Sequence, residues 1–384
     1  MVFGKLSKRS NVPQFHAMGV LAEANRLAAL GRDILHLEVG EPDARAPARV
    51  RDAARTAIAA GRTGYTEALG LPELRRAIAA HYQDFYGVDV GPERIIVTTG
   101  ASGAFILVFL ALFDPGARVA LASPGYPAYR SILAALGIEV VTIPGAHESA
   151  YQPVVDLLEP VAADLDGVIL ASPANPTGSV MPEPELIRLV AFCREYDIRL
   201  VADEIYHGIA YEGACPTVLG LDGQAVVVNS FSKYFAMTGW RLGWVAGPPE
   251  LIEAAERLAM NFFLCAPTVA QVGACEVFGC YAELDTHVER YRANRDVLLA
   301  GLSKSGFGEV AAADGAFYLY VDVSDFADDS FEFARQLLQD EGVAVAPGVD
   351  FDRERGHRFV RMSYAGAPEA IRETVNRLGN WTLR

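Results

Sequence analysis

The stretch Ser230-Phe231-Ser232-Lys233, followed shortly by Thr238-Gly239-Trp240-Arg241, guides the interpretation of the whole chain. It comes directly after Ala225-Val226-Val227-Val228, a short apolar run typical of a buried strand. Lys233 is therefore expected just beyond a strand end, among aromatic side chains, where an ammonium ion is costly to desolvate. The nearby Arg241 disfavours the charged form further, so we expect the pKa of Lys233 to be lowered.

A lysine with a lowered pKa has a specific chemical use. Its neutral amine can form a Schiff base with an aldehyde. The hydroxyls of Ser230 and Ser232 and the guanidinium of Arg241 suit a phosphate group. Together these residues indicate a site for an aldehyde that carries a phosphate, and pyridoxal 5'-phosphate fits that description.

Composition excludes several other classes of protein. The chain has 384 residues, 51% of them hydrophobic, which predicts a large core and two domains. Its 33 basic and 48 acidic residues leave a net charge of -15, which argues against nucleic acid or an anionic membrane as partner. The longest apolar stretch, 104–113, is too short for a membrane span and predicts a buried helix. The N-terminus lacks the apolar region of a signal peptide, so we expect a cytoplasmic location.

Cysteine and histidine usage points away from metal and disulfide chemistry. The five cysteines are odd in number and form no Cys-x-x-Cys motif, so reduced thiols are expected. The seven histidines are scattered, with no pair at helical spacing, so no metal site is expected.

Apolar runs alternate with amphipathic stretches such as 184–196 over most of the chain. Continuous Val, Ile and Leu runs of this kind predict a mostly parallel, mixed sheet covered by helices on both faces, a three-layer α/β/α domain of the α/β class. The predicted strands are 95–98, 118–122, 140–143, 167–171, 198–202, 225–229 and 242–246.

The pattern changes after about residue 286. The rest of the chain predicts a smaller α+β domain, and we expect the first 45 residues to pack on it. The predicted division is therefore a large domain of residues 46–285 and a small domain of residues 1–45 together with 286–384. The predicted elements of the small domain are helices at 288–302 and 330–340 and strands at 316–323, 343–346 and 358–363.

Polar motifs follow the predicted strands, and ligands of open α/β sheets bind beyond the carboxyl ends of strands. Thr98-Thr99-Gly100-Ala101-Ser102-Gly103 opens the apolar helix, where free amides would favour a phosphate. Asp203 closes another strand, where it would keep a pyridine nitrogen protonated. Each motif alone is also compatible with an ordinary turn or helix cap, but they all fall at strand ends.

Four further side chains are candidates for the same site. Asn175 and Tyr206 would hydrogen-bond a ring hydroxyl, and Tyr126 would stack on a planar ring. Arg361 alternates with apolar residues in Phe359-Val360-Arg361-Met362-Ser363, so it is expected to be buried. A buried arginine needs an anion, either a substrate carboxylate or an internal salt bridge.

The ordered set of motifs resembles the fold-type I pyridoxal-phosphate enzymes and, within them, the class I aminotransferases of the aspartate aminotransferase superfamily. The resemblance runs nearly from end to end. It is carried by Val39-Gly40-Glu41-Pro42-Asp43, Gly64-Tyr65-Thr66, Asn175-Pro176-Thr177-Gly178, Asp203-Glu204-Ile205-Tyr206, Ser230-Phe231-Ser232-Lys233 and Arg361-Met362-Ser363-Tyr364-Ala365.

The resemblance implies a role for each matching residue. Lys233 would be the Schiff-base lysine, Asp203 the partner of the pyridine nitrogen, and Tyr126 the stacking ring. Tyr65 would reach the phosphate of the neighbouring subunit, which implies a homodimer with shared active sites. The ring oxygen would be bound by Asn175 and Tyr206, the phosphate by Gly100, Ala101, Ser102, Ser230, Ser232 and Arg241, and the substrate α-carboxylate by Arg361 with Gly40 and Asn175.

The implied reaction is a ping-pong transfer of an amino group from an L-amino acid to a 2-oxo acid, with Lys233 moving the proton. The same residues would support a C–S β-lyase, and a non-catalytic regulator that binds pyridoxal 5'-phosphate is a distant alternative. A regulator of this fold would need an added DNA-binding segment, whereas Gly40 already belongs to the enzyme motif. Some bacterial aspartate-using relatives carry a lysine where this chain has Ser102, while Phe15, Val39, Phe262 and Phe263 would suit an apolar substrate side chain.

Overall fold

The computed structural model describes residues 6–381, and all elements named here belong to that range. The strands are β1 Leu35–His36, β2 Ile95–Thr98, β3 Arg118–Ser123, β4 Glu139–Pro144, β5 Gly167–Ala171, β6 Arg199–Asp203, β7 Val226–Ser230, β8 Gly243–Ala246, β9 Tyr318–Asp322, β10 Val343–Ala344, β11 Ala346–Pro347 and β12 Phe359–Ser363. The α-helices are α1 His16–Ala29, α2 Ala48–Ala59, α3 Pro72–His81, α4 Gly100–Leu112, α5 Pro127–Leu136, α6 Val155–Leu158, α7 Glu183–Glu195, α8 Pro249–Phe262, α9 Thr268–Ala274, α10 Tyr281–Lys304, α11 Ser330–Glu341 and α12 Pro368–Asn380.

The main sheet of the described chain has seven strands in the order β2-β8-β7-β6-β5-β3-β4. Strands β3 to β7 are parallel to one another, and β8 runs antiparallel to both β2 and β7. Each of these strands was predicted from its apolar run, within one residue or so at either end. The prediction of a mostly parallel, mixed sheet is confirmed.

Helices cover both faces of this sheet. Alternate residues of one strand face opposite sides, and in β7 Val226 and Val228 join a cluster with α4 and α8, while Val227 joins the cluster on the other side. The second cluster includes Leu74 of α3 and Leu189 of α7. Because both faces are buried, the strands are apolar throughout, and the three-layer α/β/α arrangement follows.

The apolar run at 104–113 forms most of α4, which is a buried helix as predicted. Within the described part of the chain, no helix is long and apolar enough to cross a membrane. The five cysteines are all free thiols in the structure.

A second, smaller sheet contains the C-terminal strands. Strands β11 and β9 flank β12 in antiparallel register, with Arg361 opposite both Ala346 and Tyr320. The prediction of a single strand at 343–346 is wrong in one respect, because this segment forms two short strands that are separated at Val345. Its first half, β10, pairs in parallel with β1, and its second half, β11, pairs with β12. Strand β1 has only two residues, too few for an apolar pattern to be recognised.

The N-terminal segment packs on the C-terminal part of the chain. Strand β1 pairs with β10 in a separate two-stranded sheet, and the amide of His16 at the start of α1 donates to Asp350. We propose that the domains divide as the sequence predicts, at residues 46 and 286. Residue 286 lies inside α10, which begins at Tyr281, earlier than the predicted start at 288. Residues 1–5 and 382–384 of the proposed small domain lie outside the described residues.

Candidate active site

The motifs predicted from the strand ends converge on one cavity of about 250 Å³. It lies at the carboxyl ends of β5, β6 and β7 and is closed on one side by β12. Of the residues singled out in the sequence, those that line it are Gly40, Ala101, Ser102, Tyr126, Asn175, Asp203, Tyr206, Ser232, Lys233, Arg241 and Arg361.

Lys233 follows the end of β7 and is partly buried. Its Nζ donates a hydrogen bond to the backbone carbonyl of Gly40 at 2.6 Å. Burial lowers the pKa of Lys233 to about 8, and the positive charges of Arg361 and Arg241 act in the same direction. A large fraction of the side chain is therefore a neutral amine near pH 8, as the sequence predicted.

Asp203 is the last residue of β6 and is 3% exposed. The hydroxyl of Tyr129 donates to its Oδ2, and the amide of Ile205 donates to its Oδ1 at 3.0 Å. Burial raises the pKa of Asp203 to about 6, while these two donors and the charge of Lys233 lower it. The carboxylate is thus held in place by two hydrogen bonds inside a nearly solvent-free site.

Tyr206 lies deeper in the cavity, with its hydroxyl 2.7 Å from that of Tyr318. The backbone of Gly40 lies close to the hydroxyl end of the Tyr318 side chain, and a Cβ atom at position 40 would collide with the Tyr318 hydroxyl. Only glycine fits there. The chain at Gly40 is therefore close enough to offer its carbonyl to Lys233.

Arg361 is 3% exposed and lies between two aromatic rings, 4.4 Å from the Tyr318 centroid and 4.8 Å from the Phe351 centroid. Its Nη1 donates to Oδ1 of Asn175 at 2.9 Å, and its Nη2 donates to the carbonyl of Glu38 at 2.7 Å. Its Nε has no hydrogen-bond partner among residues 6–381, and none of their side-chain carboxylates pairs with it. The internal salt bridge considered from the sequence is therefore not formed within the described chain.

The start of α4 and the end of β7 meet at one end of the cavity. The Thr99 side chain does not cap α4, so the first amides of that helix remain available. Gly100 has a φ of +71°, and a Cβ atom there would overlap the guanidinium of Arg241. Ser230 Oγ lies 2.9 Å from Ser232 Oγ and within reach of the Leu242 carbonyl at 3.0 Å. Hydroxyls, helix amides and a guanidinium suitable for a phosphate are thus adjacent.

The two other predicted tyrosines differ in position. Tyr126 immediately precedes α5, and its ring meets that of Tyr129 edge to face at 5.3 Å. Tyr65 is 85% exposed and is not among the described residues that line the cavity of its own chain. Phe15 and Val39 line the cavity, whereas Phe262 and Phe263 are not among its described lining residues.

Sequence reasoning missed Tyr129, Tyr318 and Phe351 as parts of the site. Tyr129 had a weak signal, since it lies three residues after Tyr126 and so on the same side of α5. Tyr318 and Phe351 had none, because each is brought to Arg361 by the pairing and turns of the smaller sheet. The described residues contain no group of three or more His, Cys, Asp or Glu side chains arranged to hold a metal ion.

Comparison with known proteins identifies the family of the chain. The family described as aminotransferase class I and II matches residues 32–378. The chain is 49% identical over 382 residues to valine–pyruvate aminotransferase of Mycobacterium tuberculosis, and the match covers 98% of each chain. This relative supports an aminotransferase and does not favour the C–S β-lyase alternative.

Solved structures give the same result. A crystal structure of an aminotransferase from Mycobacterium tuberculosis superposes with a TM-score of 0.96 at 48% identity, covering 99% of both chains. Aspartate aminotransferase from Thermus thermophilus with maleate superposes with a TM-score of 0.93 at 35% identity, covering 98% of this chain and 99% of that one. Sequence and fold agree over almost the whole length, and the chain therefore belongs to the class I and II aminotransferases.

Proposed function

We propose that this aminotransferase binds pyridoxal 5'-phosphate in the cavity at the strand ends and transfers an amino group from an L-amino acid to a 2-oxo acid. The observation that carries the proposal is that one cavity contains the amine of Lys233, the buried carboxylate of Asp203 and the guanidinium of Arg361. The residues present fit the cofactor. A lysine with a lowered pKa suits its aldehyde, the hydroxyls, helix amides and guanidinium suit its phosphate, and a buried carboxylate suits its ring nitrogen.

When bound, pyridoxal 5'-phosphate supplies an aldehyde that condenses with amines and a ring that withdraws electrons. Lys233 would act as the base, its neutral amine taking the proton from Cα of the donor. Asp203 would keep the ring nitrogen protonated through a charge-assisted hydrogen bond. Water would release the first 2-oxo acid, and in the second half-reaction Lys233 would return a proton to Cα of the acceptor, which completes a ping-pong cycle.

The other residues of the site are proposed to hold and orient the cofactor and the substrate. The phosphate would be held by the first amides of α4 at Gly100, Ala101 and Ser102, with Ser230, Ser232 and Arg241. Asn175 and Tyr206 would hydrogen-bond the ring oxygen, and Tyr126 would stack on the ring. Arg361 receives the α-carboxylate of the substrate through donors that no side-chain carboxylate of the described chain occupies, with Gly40 and Asn175 beside it.

The cavity favours a donor with an apolar side chain. Among its described lining residues the cations are Lys233, Arg241 and Arg361, and each has a role above. A second carboxylate on the donor would find no further cation among the described residues that line this cavity, since position 102 is serine. Phe15 and Val39 supply an apolar wall. With the similarity to a valine–pyruvate aminotransferase, these features support valine or a similar aliphatic amino acid as donor and pyruvate as acceptor.

The test is the absorption spectrum of the protein loaded with pyridoxal 5'-phosphate, titrated in turn with valine, alanine, aspartate, phenylalanine and cystathionine. We expect valine to shift the visible band of the bound cofactor to shorter wavelength, and pyruvate to reverse the shift. Release of pyruvate and ammonia from a sulfur amino acid with an unchanged final spectrum would instead indicate a β-lyase. Lys233→Ala should bind the cofactor without turnover.

We further propose a homodimer in which Tyr65 of each chain completes the site of the other. A mixture of Tyr65→Ala and Lys233→Ala chains tests this arrangement. In the mixed dimer, the site with an intact Lys233 receives an intact Tyr65 from its neighbour, so activity should recover above that of either variant alone. If Tyr65 served its own chain, or if the protein were a monomer, mixing would restore nothing.

A further inference from the structure

The short turn Gly348–Asp350 and the residue after it contact two parts of the active-site wall. Phe351 places its ring 4.8 Å from the guanidinium carbon of Arg361. The carboxylate of Asp350 reaches in another direction, toward the start of α1. One turn of the smaller sheet therefore contacts both the proposed carboxylate-binding arginine and the N-terminal helix.

Asp350 caps α1 from a distant part of the chain. Its two oxygens accept hydrogen bonds from the amides of His16 and Ala17, each at 2.8 Å. The residue that precedes the helix, Phe15, has no side-chain oxygen with which to cap these amides. The first turn of α1 thus depends on Asp350, whose negative charge also suits the positive end of the helix dipole.

Phe15 occupies a boundary between two cavities. It lines the cavity that contains Lys233, and it also lines an adjacent cavity of about 300 Å³. Its ring meets that of Phe351 edge to face, with centroids 6.3 Å apart. Successive residues therefore act on this segment: Asp350 binds the two amides that follow Phe15, and Phe351 contacts the Phe15 ring.

We propose that Asp350 is a positioning residue for donor selectivity: by capping α1 it holds Phe15, one of six residues that line both cavities, in the wall between the substrate cavity and its neighbour. The proposal rests on the aminotransferase function proposed above. With the wall in place, a compact aliphatic side chain such as that of valine fills the space beside Phe15. Without the cap, the amides of His16 and Ala17 lose their acceptors, the first turn loosens, and larger side chains gain access to the adjacent cavity.

Donor selectivity is the first measurement. For wild type and Asp350→Ala, kcat/KM is determined with valine and with phenylalanine as donors. We expect the phenylalanine-to-valine ratio to rise about tenfold in the variant, the size of effect that changes in an apolar pocket have on discrimination. Asp350→Asn keeps one acceptor oxygen and should give an intermediate ratio. An unchanged ratio in Asp350→Ala would overturn the proposal.

A matched control separates selectivity from general destabilisation. Asp166 is also partly buried and accepts from a backbone amide, that of Arg118 at 2.7 Å, at the opposite ends of the strands. Asp166→Ala should lower the melting temperature but leave the donor ratio as in wild type. Hydrogen exchange gives a readout without catalysis: Asp350→Ala should accelerate exchange of the His16 and Ala17 amides, and Asp166→Ala should not.

A double-mutant cycle tests whether Asp350 acts through Phe15. Phe15→Ala should change the ratio in the same direction, and adding Asp350→Ala to it should have little further effect. Additive effects would mean that Asp350 acts by another route, and they would refute the proposed mechanism. If the wild-type protein transaminates no amino acid at all, the proposed function fails, whatever the exchange rates show about the cap.

Discussion

Arg361 and Asn175 are joined by a hydrogen bond of 2.9 Å from Nη1 to Oδ1, although they belong to different sheets. Arg361 lies in β12 of the smaller sheet, and Asn175 follows β5 of the main sheet. The contact places the proposed carboxylate-binding group beside the proposed cofactor-binding group. It therefore links substrate binding to the relative position of the two sheets.

Replacing Arg361 by alanine should raise KM for every amino acid and for the 2-oxo acid. Two charge-assisted hydrogen bonds to a carboxylate are lost, and each is worth about 1.5–3 kcal/mol, so an increase of about 100-fold or more is expected. Steady-state kinetics with valine, alanine and pyruvate measures it. Arg358→Ala is the control, because Arg358 lies nearby but pairs with Asp322 on the outside. If KM rises for only one substrate, Arg361 binds the side chain of that substrate and not the carboxylate that all the substrates share.

The lowered pKa of Lys233 should be visible in the pH dependence of cofactor uptake. Only the neutral amine attacks an aldehyde, so the rate of covalent uptake should rise with pH and level off above about pH 8, where the ammonium form is lost. An ordinary lysine would show the increase continuing to about pH 10. Mixing cofactor-free protein with pyridoxal 5'-phosphate, followed by borohydride trapping and mass spectrometry, gives the rates. A midpoint near pH 10 would contradict the structure.

Tyr129→Phe removes the hydroxyl that donates to Asp203. That hydrogen bond stabilises the ionised carboxylate, so its loss should raise the pKa of Asp203 further above its present value of about 6. A smaller fraction of Asp203 is then ionised near neutral pH, and the acidic limb of the kcat/KM profile should move to higher pH. We expect activity at neutral pH to fall about fivefold, as for one lost hydrogen bond, with recovery in alkaline buffer.

The control for this change is another tyrosine–aspartate pair. Tyr234 donates to Asp285 at 2.7 Å on the side that faces α10. Tyr234→Phe should leave the acidic limb where it is. An unshifted limb in Tyr129→Phe would mean that Tyr129 only packs and does not tune Asp203.

Gly40→Ala tests how closely the backbone must approach Tyr318. The added methyl would displace the Tyr318 ring, which lies over Arg361 and hydrogen-bonds Tyr206. We expect kcat/KM to fall about 100-fold, since a small misplacement of a positioning group has effects of this size. Gly19 in α1 is the control, because no atom lies within 4 Å of its added Cβ. Gly19→Ala should keep full activity and gain about 0.5–1 kcal/mol of stability; equal activity of both variants would count against the tight contact.

Much of the fold followed from the sequence because its signals are local. A parallel strand buried on both faces must be apolar along its length, as Val226, Val227 and Val228 are, so strands can be recognised without knowing their partners. The carboxyl ends of such strands lie at one edge of a sheet. For that reason the sequence predicts that Asn175, Asp203 and Lys233 lie close together at this edge of the sheet.

A local sequence pattern alone does not predict the roles of these residues. The roles were predicted because the order of the motifs along the chain resembles that of the class I aminotransferases, and the match to relatives supports this family assignment. Tyr65 shows the limit of a single chain, because it is exposed and its proposed contact belongs to a second copy.

The sequence by itself determined the sheet, the strand-end site and the amine, carboxylate and guanidinium that occupy it. Only the tertiary structure decided how these groups are held: Tyr129 against Asp203, Tyr318 beneath Gly40, and Asp350 at the start of α1. The strand predicted at 343–346 likewise divides between two sheets. Each of these contacts joins residues that no local period relates. They form only when segments far apart in the chain pack together, α5 on the main sheet and the N-terminal segment on the smaller sheet, and packing of this kind leaves no repeating pattern in the chain.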